Sequence, residues 1–343
     1  MIFVVTLLCL KERHSIMIEF SNFKSLISLV NYFTTNEKCK QAIIESRWGK
    51  GEGQDIVCPY CGHNHCHRRM DGRFCCSHCK SNFSCLVGTI FENTKVSLQK
   101  WFMAMYLVSS HKKGVSSHQL SRDIEVCQKT AWFMLQKIRT LYAQDDSVAM
   151  KGDIELDEVY IGGKEKWKHK NMRTPKTQGR STKTKTPVFG MMERTTIKNA
   201  KGEEELMTYV HAIVVPKTDG DTLIPIIKQF CEEGVHLITD ELNSYNRLSS
   251  EGFSHDIVCH SSDEFVRGDI FTNDMEGFWS HFRRMIIGSY HNINVKYLQR
   301  YVDEACYRWN TRKDSENSRF EYMFKQSIGI VDYKDVKMTK EAA

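Results

Sequence analysis

The chain has 343 residues, of which 41% are hydrophobic and 26% are charged, and its formal net charge is +6. This length accommodates two or three domains, and the composition is that of an ordinary globular protein, which excludes collagen-like and wholly disordered chains. The apolar run IFVVTLLCL near the start has nine residues, too short to span a bilayer, and no basic residue precedes it. We therefore expect no membrane association and a cytoplasmic location.

The N-terminal segment, residues 1–50, carries no recognisable chemistry. Its first sixteen residues are interpreted as an upstream extension from a misplaced start, because Met17 opens a more ordinary sequence. A weak signal peptide is the alternative. From Phe20 to Phe33, apolar residues recur at helical spacing and predict the packing face of a small helical lead-in.

Two Cys-x-x-Cys pairs predict a metal site. Cys58 and Cys61 form the first pair, and Cys76 and Cys79 form the second, which begins 76 − 61 = 15 positions after Cys61. Thirteen cysteines, an odd number, indicate a reducing compartment rather than a disulfide scaffold. Four thiolates at this spacing are typical of structural zinc with no open position, in a zinc ribbon that we assign to residues 51–95.

Other thiols and imidazoles in this segment are possible ligands. Cys75 competes with Cys76, but only Cys76 stands at the Cys-x-x-Cys spacing from Cys79. Unliganded or redox-active thiols are the alternative to zinc. The remaining candidates are Cys66, His63, His65, His67 and His78.

The next region, residues 96–148, has an apolar pattern with a helical period. It predicts three helices, LQKWFMAMYLVSS, SSHQLSRDI and QKTAWFMLQKIRTLY, with a short break before the third. A short helix, a turn and a longer helix bearing Lys129, Lys137 and Arg139 resemble a helix-turn-helix that binds DNA. A plain helical scaffold is the alternative.

Strand-like segments dominate from residue 149 onward. Three strands are predicted first, IELDEVYI, TPVFGMMERTT and LMTYVHAIVVP. The helix DTLIPIIKQFCEEG, the strand VHLITD, the helix ELNSYNRLSSEG and the strand HDIVCH follow, before the helices NDMEGFWSHFRRMI and KYLQRYVDEACYRWNTR. Antiparallel strands followed by strands that alternate with helices match a ribonuclease-H-like order, which we assign to residues 149–325, before a tail at 326–343.

Three carboxylates occupy positions that suit a two-metal site. Asp157 lies within the first strand, Asp240 ends VHLITD, and Glu276 opens a helix. An acid inside a buried strand is costly unless it binds a cation or a hydrogen-bond donor. Converging carboxylates can hold two magnesium ions for phosphoryl transfer.

Several neighbouring acids are weighed against these three. We expect Glu155 and Glu158 to face the side of the sheet opposite Asp157. The competing candidates for the third acid are Asp256, Asp263, Glu264 and Asp269.

Basic residues cluster after the first strand and recur on the helix of Glu276. Lys164, Lys166, Lys168 and Lys170 begin a basic segment that extends to Lys185 and favours a polyanionic partner. We interpret it as a contact with DNA phosphates, and a solvated insertion is the alternative. Arg283 follows Glu276 by seven residues, so the two share a helix face, and Arg283 is expected to hold a phosphate. A surface salt bridge is the alternative for Arg283.

Taken together, these segments resemble the ISXO-type insertion-sequence transposases, a DDE family related to Merlin-type elements. The resemblance covers most of the chain and includes the zinc knuckles. It continues through FSCLVGTIFENTKVSLQKWF, GVSSHQLSRDIEVCQKTAWFMLQKIR, IELDEVYIGGK, TDELNSYNRL and TNDMEGFWSHFRRMIIGSYHNINVKYLQRYVDEACYRWN. It implies a multidomain α/β chain, in which an N-terminal zinc ribbon and a helix-turn-helix precede a ribonuclease-H-like DDE catalytic domain.

The resemblance also implies a function. The expected activity is that of a DNA transposase that binds the terminal inverted repeats of its own insertion sequence and catalyses cleavage and strand transfer. The implied catalytic acids are Asp157, Asp240 and Glu276, with Mg²⁺ or Mn²⁺ at the catalytic site and Zn²⁺ as a structural ion. Many relatives have asparagine where Glu276 stands, and often lysine where Arg283 stands.

Double-stranded DNA, as transposon ends and as target, is the expected partner. Pairing two transposon ends implies a homodimer or a higher oligomer. Two other functions remain open at this point. One is a metal-dependent nuclease that cuts without joining, and the other is a zinc-ribbon DNA-binding regulator with a domesticated catalytic domain.

Overall fold

The computed structural model describes residues 18–49, 56–144, 149–162, 169–175, 181–198, 202–258, 266–267 and 270–329. The expectations for residues 1–16 and for Lys164, Lys166 and Lys168 lie outside these ranges. The described residues of 1–141 and 313–343 form one compact unit, and those of 142–312 form a second. Within the described ranges, no helix is long and apolar enough to cross a membrane.

The described residues form a mixed α/β protein, in which groups of helices and groups of strands follow one another along the chain. The helices of the described residues are α1 (Leu26–Tyr32), α2 (Asn36–Trp48), α3 (Leu98–Ser110), α4 (Ser117–Asp123), α5 (Gln128–Arg139), α6 (Gly220–Phe230), α7 (Asn273–Met285), α8 (Leu298–Asn310) and α9 (Glu316–Ser327). The strands are β1 (Cys66–Arg68), β2 (Phe74–Cys76), β3 (Asn82–Phe83), β4 (Asp153–Ile161), β5 (Thr186–Lys198), β6 (Glu204–Val214), β7 (His236–Thr239), β8 (Ser254–Ile257), β9 (Val266–Arg267) and β10 (Ile270–Phe271).

Aromatic side chains from distant parts of the sequence hold the first unit together. The Phe324 ring of α9 lies 5.4 Å from that of Phe20 and 5.3 Å from that of Phe102, measured between centroids. The predicted helical lead-in is present as α1 and α2, which begin after Ser25 and Thr35 because each side chain accepts a backbone N–H of the first turn. Helix α9, assigned by sequence largely to the predicted catalytic domain, packs in this unit on Phe20 and on Phe102 of α3.

Helices α4 and α5 follow each other through a tight turn in which Glu125 has a φ of 51°. Lys129 is exposed near the start of α5, but Lys137 and Arg139 are buried. The Lys137 ammonium donates to the Ile90 carbonyl at 2.8 Å. The interpretation of Lys137 and Arg139 as basic residues available to DNA is therefore wrong, because both side chains are buried inside the first unit.

The second unit is built on a five-stranded sheet with the order β6-β5-β4-β7-β8. Strands β4, β5 and β6 are antiparallel neighbours, whereas β7 runs parallel to β4 and β8 runs parallel to β7. One face packs Leu156 against Leu223 of α6, and the other packs Val159 against Phe278 of α7. The central strand β4 is therefore covered on both faces.

One predicted helix, ELNSYNRLSSEG, is not formed. This segment contains two short 3-10 helices, Asn243–Tyr245 and Leu248–Glu251. The side chain of Asp240 accepts the Leu242 N–H at 3.0 Å and starts the segment as a turn. Asparagine and serine side chains compete locally for backbone hydrogen bonds, which favours such turns over a continuous helix.

Candidate active site and cysteine cluster

Asp157 on β4 lies opposite Asp240, which directly follows the neighbouring parallel strand β7. Glu155 of β4 pairs with Ile238 of β7, so the same register two residues later sets Asp157 beside Asp240, directly after the end of β7. Neighbouring strands are about 4.8 Å apart, which brings the two backbone positions close together although the sequence separates them widely.

Helix α7 approaches the sheet closely at Gly190. This glycine of β5 pairs directly with Asp157. A Cβ atom there would lie 1.8 Å from Met275 Cε and 2.7 Å from Trp279 Cζ2, well inside van der Waals contact. The absence of a side chain therefore allows the first turns of α7, which carry Glu276, to pack beside Asp157.

The charges of the three acids interact. The pKa of Asp157 is raised to about 6, chiefly by burial and also by the negative charges of Asp240 and Glu276. The Glu158 N–H, 2.8 Å from Asp157 Oδ1, opposes this rise. Opposite charge in the same place would favour the ionised form of Asp157, so the arrangement suits a bound cation.

The three acids form an open group rather than a closed cage. Asp157 and Asp240 are partly buried, whereas Glu276 is exposed. Among the described residues, they do not form a group as tight as the cysteine cluster, whose ligand atoms all lie within 4.8 Å of one another. Ligands shared between two ions about 4 Å apart are spread more widely than ligands around one tetrahedral ion.

The expectation that Glu155 and Glu158 both face away from Asp157 is half right. Glu158 does so, since its carboxylate accepts the hydroxyl of Tyr245, a residue of the opposite core. Glu155 faces the same side as Asp157, because positions two apart on a strand share a face. Its Oε2 accepts the Met275 N–H at 2.9 Å, and its Oε1 accepts Arg194 Nε at 2.8 Å.

Sequence reasoning assigned no role to Glu155, Gly190, Arg194 or Tyr245, all of which lie next to the acids. Burial raises the pKa of Glu155 to about 7, although Met275 N–H and Arg194 favour its charged form. Period-two alternation was the available signal for Glu155. The positions of Gly190 and Arg194 depend on the pairing register of β4 and β5, which local sequence patterns do not specify.

Of the competing third acids, Asp256 is the one that the structure describes. Its Oδ2 lies 2.9 Å from His236 Nε2, and Asp153 Oδ1 lies 2.8 Å from the Nδ1 of the same ring. Asp256 pairs with Ile238, two residues before Asp240, and is engaged by His236 there. Asp263, Glu264 and Asp269 lie outside the described residues.

Three basic candidates that the structure describes are exposed. Lys170 begins the short 3-10 helix Lys170–Met172, Lys129 lies in the first turn of α5, and Arg283 lies two turns after Glu276 on α7. Within the described part of the chain, Arg283 forms no ion pair, so the salt-bridge alternative finds no partner for it there.

Four cysteines meet in the first unit. The sulfurs of Cys58 and Cys79 are 3.7 Å apart, and those of Cys61 and Cys76 are 3.6 Å apart. Four ligands at the usual Zn–S distance of about 2.3 Å would stand about 3.8 Å from one another, so the donors and their spacing fit one tetrahedral zinc ion. Cys75 is not in this group, and its sulfur lies 3.9 Å from the Lys80 carbonyl instead.

Comparisons with known protein families identify both segments. Residues 149–310 match the ISXO2-like transposase domain, and residues 34–82 match the transposase zinc-ribbon domain. The first match contains all three acids, and the second contains all four clustered cysteines.

Two relatives give the same result. A protein of the transposable element ISH50 from Halobacterium salinarum is 28% identical over 269 residues, which cover 75% of this chain and 85% of the relative. A transposase-like protein from Haemophilus influenzae is 30% identical over 101 residues, which cover 29% of this chain and 80% of the relative. The similarity therefore extends over most of the length of both relatives.

Proposed function

The chain belongs to the ISXO2-like transposase family, and we propose that it binds the terminal inverted repeats of its own insertion sequence and catalyses metal-dependent cleavage and strand transfer. The observation that carries the proposal is the meeting of three acids from two strands and a helix. Asp157 and Asp240 are neighbours by strand register, and the charge of Glu276 reaches Asp157.

In this proposal Asp157, Asp240 and Glu276 hold the catalytic ions. Two Mg²⁺ or Mn²⁺ ions, when bound, supply activation of the attacking oxygen and stabilisation of the leaving oxygen. The carboxylates fix where that charge is located, and the packing of Trp279 beside Asp157 limits water on one side. Arg283, exposed on the helix of Glu276, is assigned to hold a DNA phosphate in line with the acids.

The chemistry requires no nucleophile from the protein. A water oxygen first forms a bond to phosphorus at the transposon end while the bond to the 3′ oxygen breaks, which leaves a 3′ hydroxyl. That hydroxyl then attacks a phosphodiester of the target, and the bond to the 3′ oxygen of the target strand breaks. Each step exchanges one P–O bond for another, and the proton of the attacking group passes through solvent to the leaving oxygen.

We also propose the finer fold assignments. The sheet order β6-β5-β4-β7-β8, with three antiparallel strands followed by two parallel ones, supports a ribonuclease-H-like catalytic domain. The tight turn between α4 and α5 and the exposed Lys129 support a helix-turn-helix that binds DNA. We propose the domain limits predicted from the sequence, except that α9 is assigned to the first unit.

Zinc and DNA contacts complete the proposal. Cys58, Cys61, Cys76 and Cys79 are assigned as ligands of one structural zinc ion, which has no position left for substrate. The basic segment of Lys164, Lys166, Lys168 and Lys170 is assigned to DNA phosphates without reading sequence. Synapsis of two transposon ends calls for a dimer or a larger assembly.

The test uses purified protein, Mg²⁺ and DNA that carries an end of the element. We expect nicked and joined products from the wild type, no product above background from Asp157→Ala or Asp240→Ala, and normal end binding by both variants. Asp256→Asn is the matched control, because Asp256 is a neighbouring acid of the same sheet that is not assigned to the ions.

Other results would assign a different function. Cleavage without joined product would support a nuclease, and binding without cleavage would support a regulator. Near-normal strand transfer by either alanine variant would overturn the two-metal assignment.

A further inference from the structure

A completely buried carboxylate, Glu155, links the central strand to the helix that carries the third acid. Glu155 has no exposed surface, and both its oxygens are engaged. Oε2 accepts the Met275 N–H of α7, and Oε1 accepts both Nε and Nη2 of Arg194 from β5. Because Glu155 lies two residues before Asp157, its contacts fix the region of the strand that holds the first acid.

The hydrogen bond from α7 to Glu155 lies in the first turn of the helix, where backbone N–H groups need an acceptor from outside the helix. Met275 is the third residue of α7 and directly precedes Glu276. Its N–H is one of the first four that have no acceptor within the helix, and the N-cap residue Thr272 provides no side-chain cap. A carboxylate also interacts favourably with the positive end of the helix dipole. Glu155 thus caps α7 from a different element.

Arg194 extends this link to a second acid of the same helix turn. Its Nε lies 3.7 Å from Asp274 Oδ2 while its guanidinium binds Glu155, and only 7% of its side chain is exposed. The chain Glu155–Arg194–Asp274 therefore joins β4, β5 and the first turn of α7. The Arg194 charge also compensates the Glu155 carboxylate, so Glu155 adds little to the negative charge of the site.

Stability alone does not explain a buried ion pair at this place. Two charges taken out of water cost several kcal/mol, and apolar residues of similar volume often serve as well or better. The strand needs no such pair for packing, because Val159 and Met192 pack on this face with side chains of α7 and α8. What the pair provides, and an apolar contact does not, is a directional bond to one N–H next to Glu276.

We propose that Glu155, held by Arg194, is a positioning residue that fixes the start of α7, so that Glu276 and Asp157 face the same pair of catalytic ions. The inference rests on the proposed function for its consequence, since it assigns Glu276 to metal. Glu155 itself is not a ligand, because the backbone N–H and the guanidinium occupy its oxygens.

Two measurements test this inference. The first is the affinity of the zinc-loaded full chain for Mn²⁺. It is measured by calorimetry or by the electron paramagnetic resonance of free Mn²⁺. The second is amide hydrogen exchange at Met275, Glu276 and Gly277. The variant is Glu155→Gln, which keeps the side-chain volume and one acceptor but loses the ion pair with Arg194.

We expect Glu155→Gln to bind Mn²⁺ about 10- to 100-fold more weakly, the range typical when an outer-shell partner is lost. Exchange at the start of α7 should accelerate while end binding stays near that of the wild type, and the thermal transition should fall because Arg194 loses the charge of its buried partner. Saturating Mn²⁺ should restore most of the cleavage, because all three ligands are still present. The same excess should not rescue Asp157→Asn.

Glu193→Gln is the matched control. Glu193 is a buried carboxylate of β5 that pairs with Ile154, on the opposite face of the same sheet. This variant should leave Mn²⁺ affinity and exchange at α7 unchanged.

The possible failures are distinguishable. Unchanged exchange at α7 in Glu155→Gln would overturn the inference whether or not the protein binds Mn²⁺. Loss of cleavage that excess Mn²⁺ does not restore would overturn it in favour of Glu155 as a ligand. If Asp157→Asn binds Mn²⁺ as well as the wild type does, the two-metal function fails, and the exchange data still decide the role of Glu155.

Discussion

His236 is held between two carboxylates at the start of β7, on the strand that leads to Asp240. Burial opposes its charged form, but hydrogen bonds from the ring to Asp153 and Asp256, together with their charges, outweigh burial and raise the pKa of His236. The neighbouring His255 differs, since burial lowers its pKa and its Nε2 lies 2.8 Å from Thr239 Oγ1. The pKa values of the two histidines are therefore shifted in opposite directions.

The first consequence is a pH dependence of stability. Because the folded-state pKa of His236 is raised, its stabilising contribution is complete below the unfolded value of about 6.5 and is lost as pH rises through the folded value. We expect the free energy of unfolding to fall between pH 7 and 9 by up to about 1 kcal/mol more in the wild type than in His236→Gln. Denaturant unfolding at each pH measures the difference.

The chosen pH range avoids the opposite effect of His255. Because the pKa of His255 is lowered in the folded state, this residue reduces stability only below about pH 6.5. There the unfolded state binds a proton that the folded state binds less readily. Parallel pH curves for the wild type and His236→Gln would show that the two carboxylates do not hold the ring in its charged form.

The docking of α7 on the sheet depends on Gly190, and this gives a prediction about a whole element. Gly190→Ala introduces a methyl group into space filled by Met275 and Trp279. We expect a loss of about 1–3 kcal/mol in unfolding free energy, as for other overpacked cores, or a displacement of α7. Cleavage should fall more than end binding, because Glu276 moves with the helix.

The control for this prediction is Gly288→Ala. Gly288 lies in the helical turn that directly follows α7. A Cβ atom added there meets no atom within 4 Å. Equal cleavage defects in the two variants would mean that the close approach at Gly190 is not what positions Glu276.

The zinc site proposed above predicts that the small sheet β1-β2-β3 depends on metal. Cys76→Ser should release zinc and unfold this segment, because its folding free energy comes largely from metal binding. The thermal transition of residues 142–312 should be unaffected. Zinc content by atomic absorption and the exchange rates of β1–β3 amides report the outcome, with Cys75→Ser as the control that keeps its zinc. Full zinc content in Cys76→Ser would assign a different ligand.

The elements that periodicity governs were predictable, and those that depend on distant partners were not. Alternation identified β4, and Cys-x-x-Cys spacing identified the four clustered thiols. Lys137 reads from sequence as a solvent-facing cation, yet it donates to the Ile90 carbonyl, an acceptor forty-seven residues away. The role of Glu155 was missed for the same reason, since its partners lie on β5 and α7.

The three proposed catalytic acids were predictable only in part. Each was expected from its own segment, but their meeting follows from the parallel register of β4 and β7, which pairs Glu155 with Ile238. Nothing in either strand alone specifies that register, because alternation decides which side chains share a face and not which residue of β7 lies beside which residue of β4. The approach of α7 depends in turn on a single glycine that periodicity does not single out.

The first unit contains both early and late parts of the chain, and this predicts the effect of truncation. A chain that ends at Arg312 lacks α9 and therefore the Phe320 and Phe324 rings that pack on Phe20. Each buried aromatic side chain contributes about 1.5–3 kcal/mol. We expect the first unit to lose its cooperative transition in calorimetry while residues 142–312 keep theirs. Truncation after Gly329 retains α9 and is the matched control.

The position of α9 in the sequence also determines when, during synthesis, the first unit can complete its core. A ribosome releases Phe20 and Phe102 long before Phe324, the ring that packs on both. The zinc-binding unit therefore completes its core only after Asp157, Asp240 and Glu276 have been translated. If this unit binds transposon ends, as proposed, an unfinished or prematurely stopped chain cannot occupy an end, and each chain that reaches the DNA already carries all three acids.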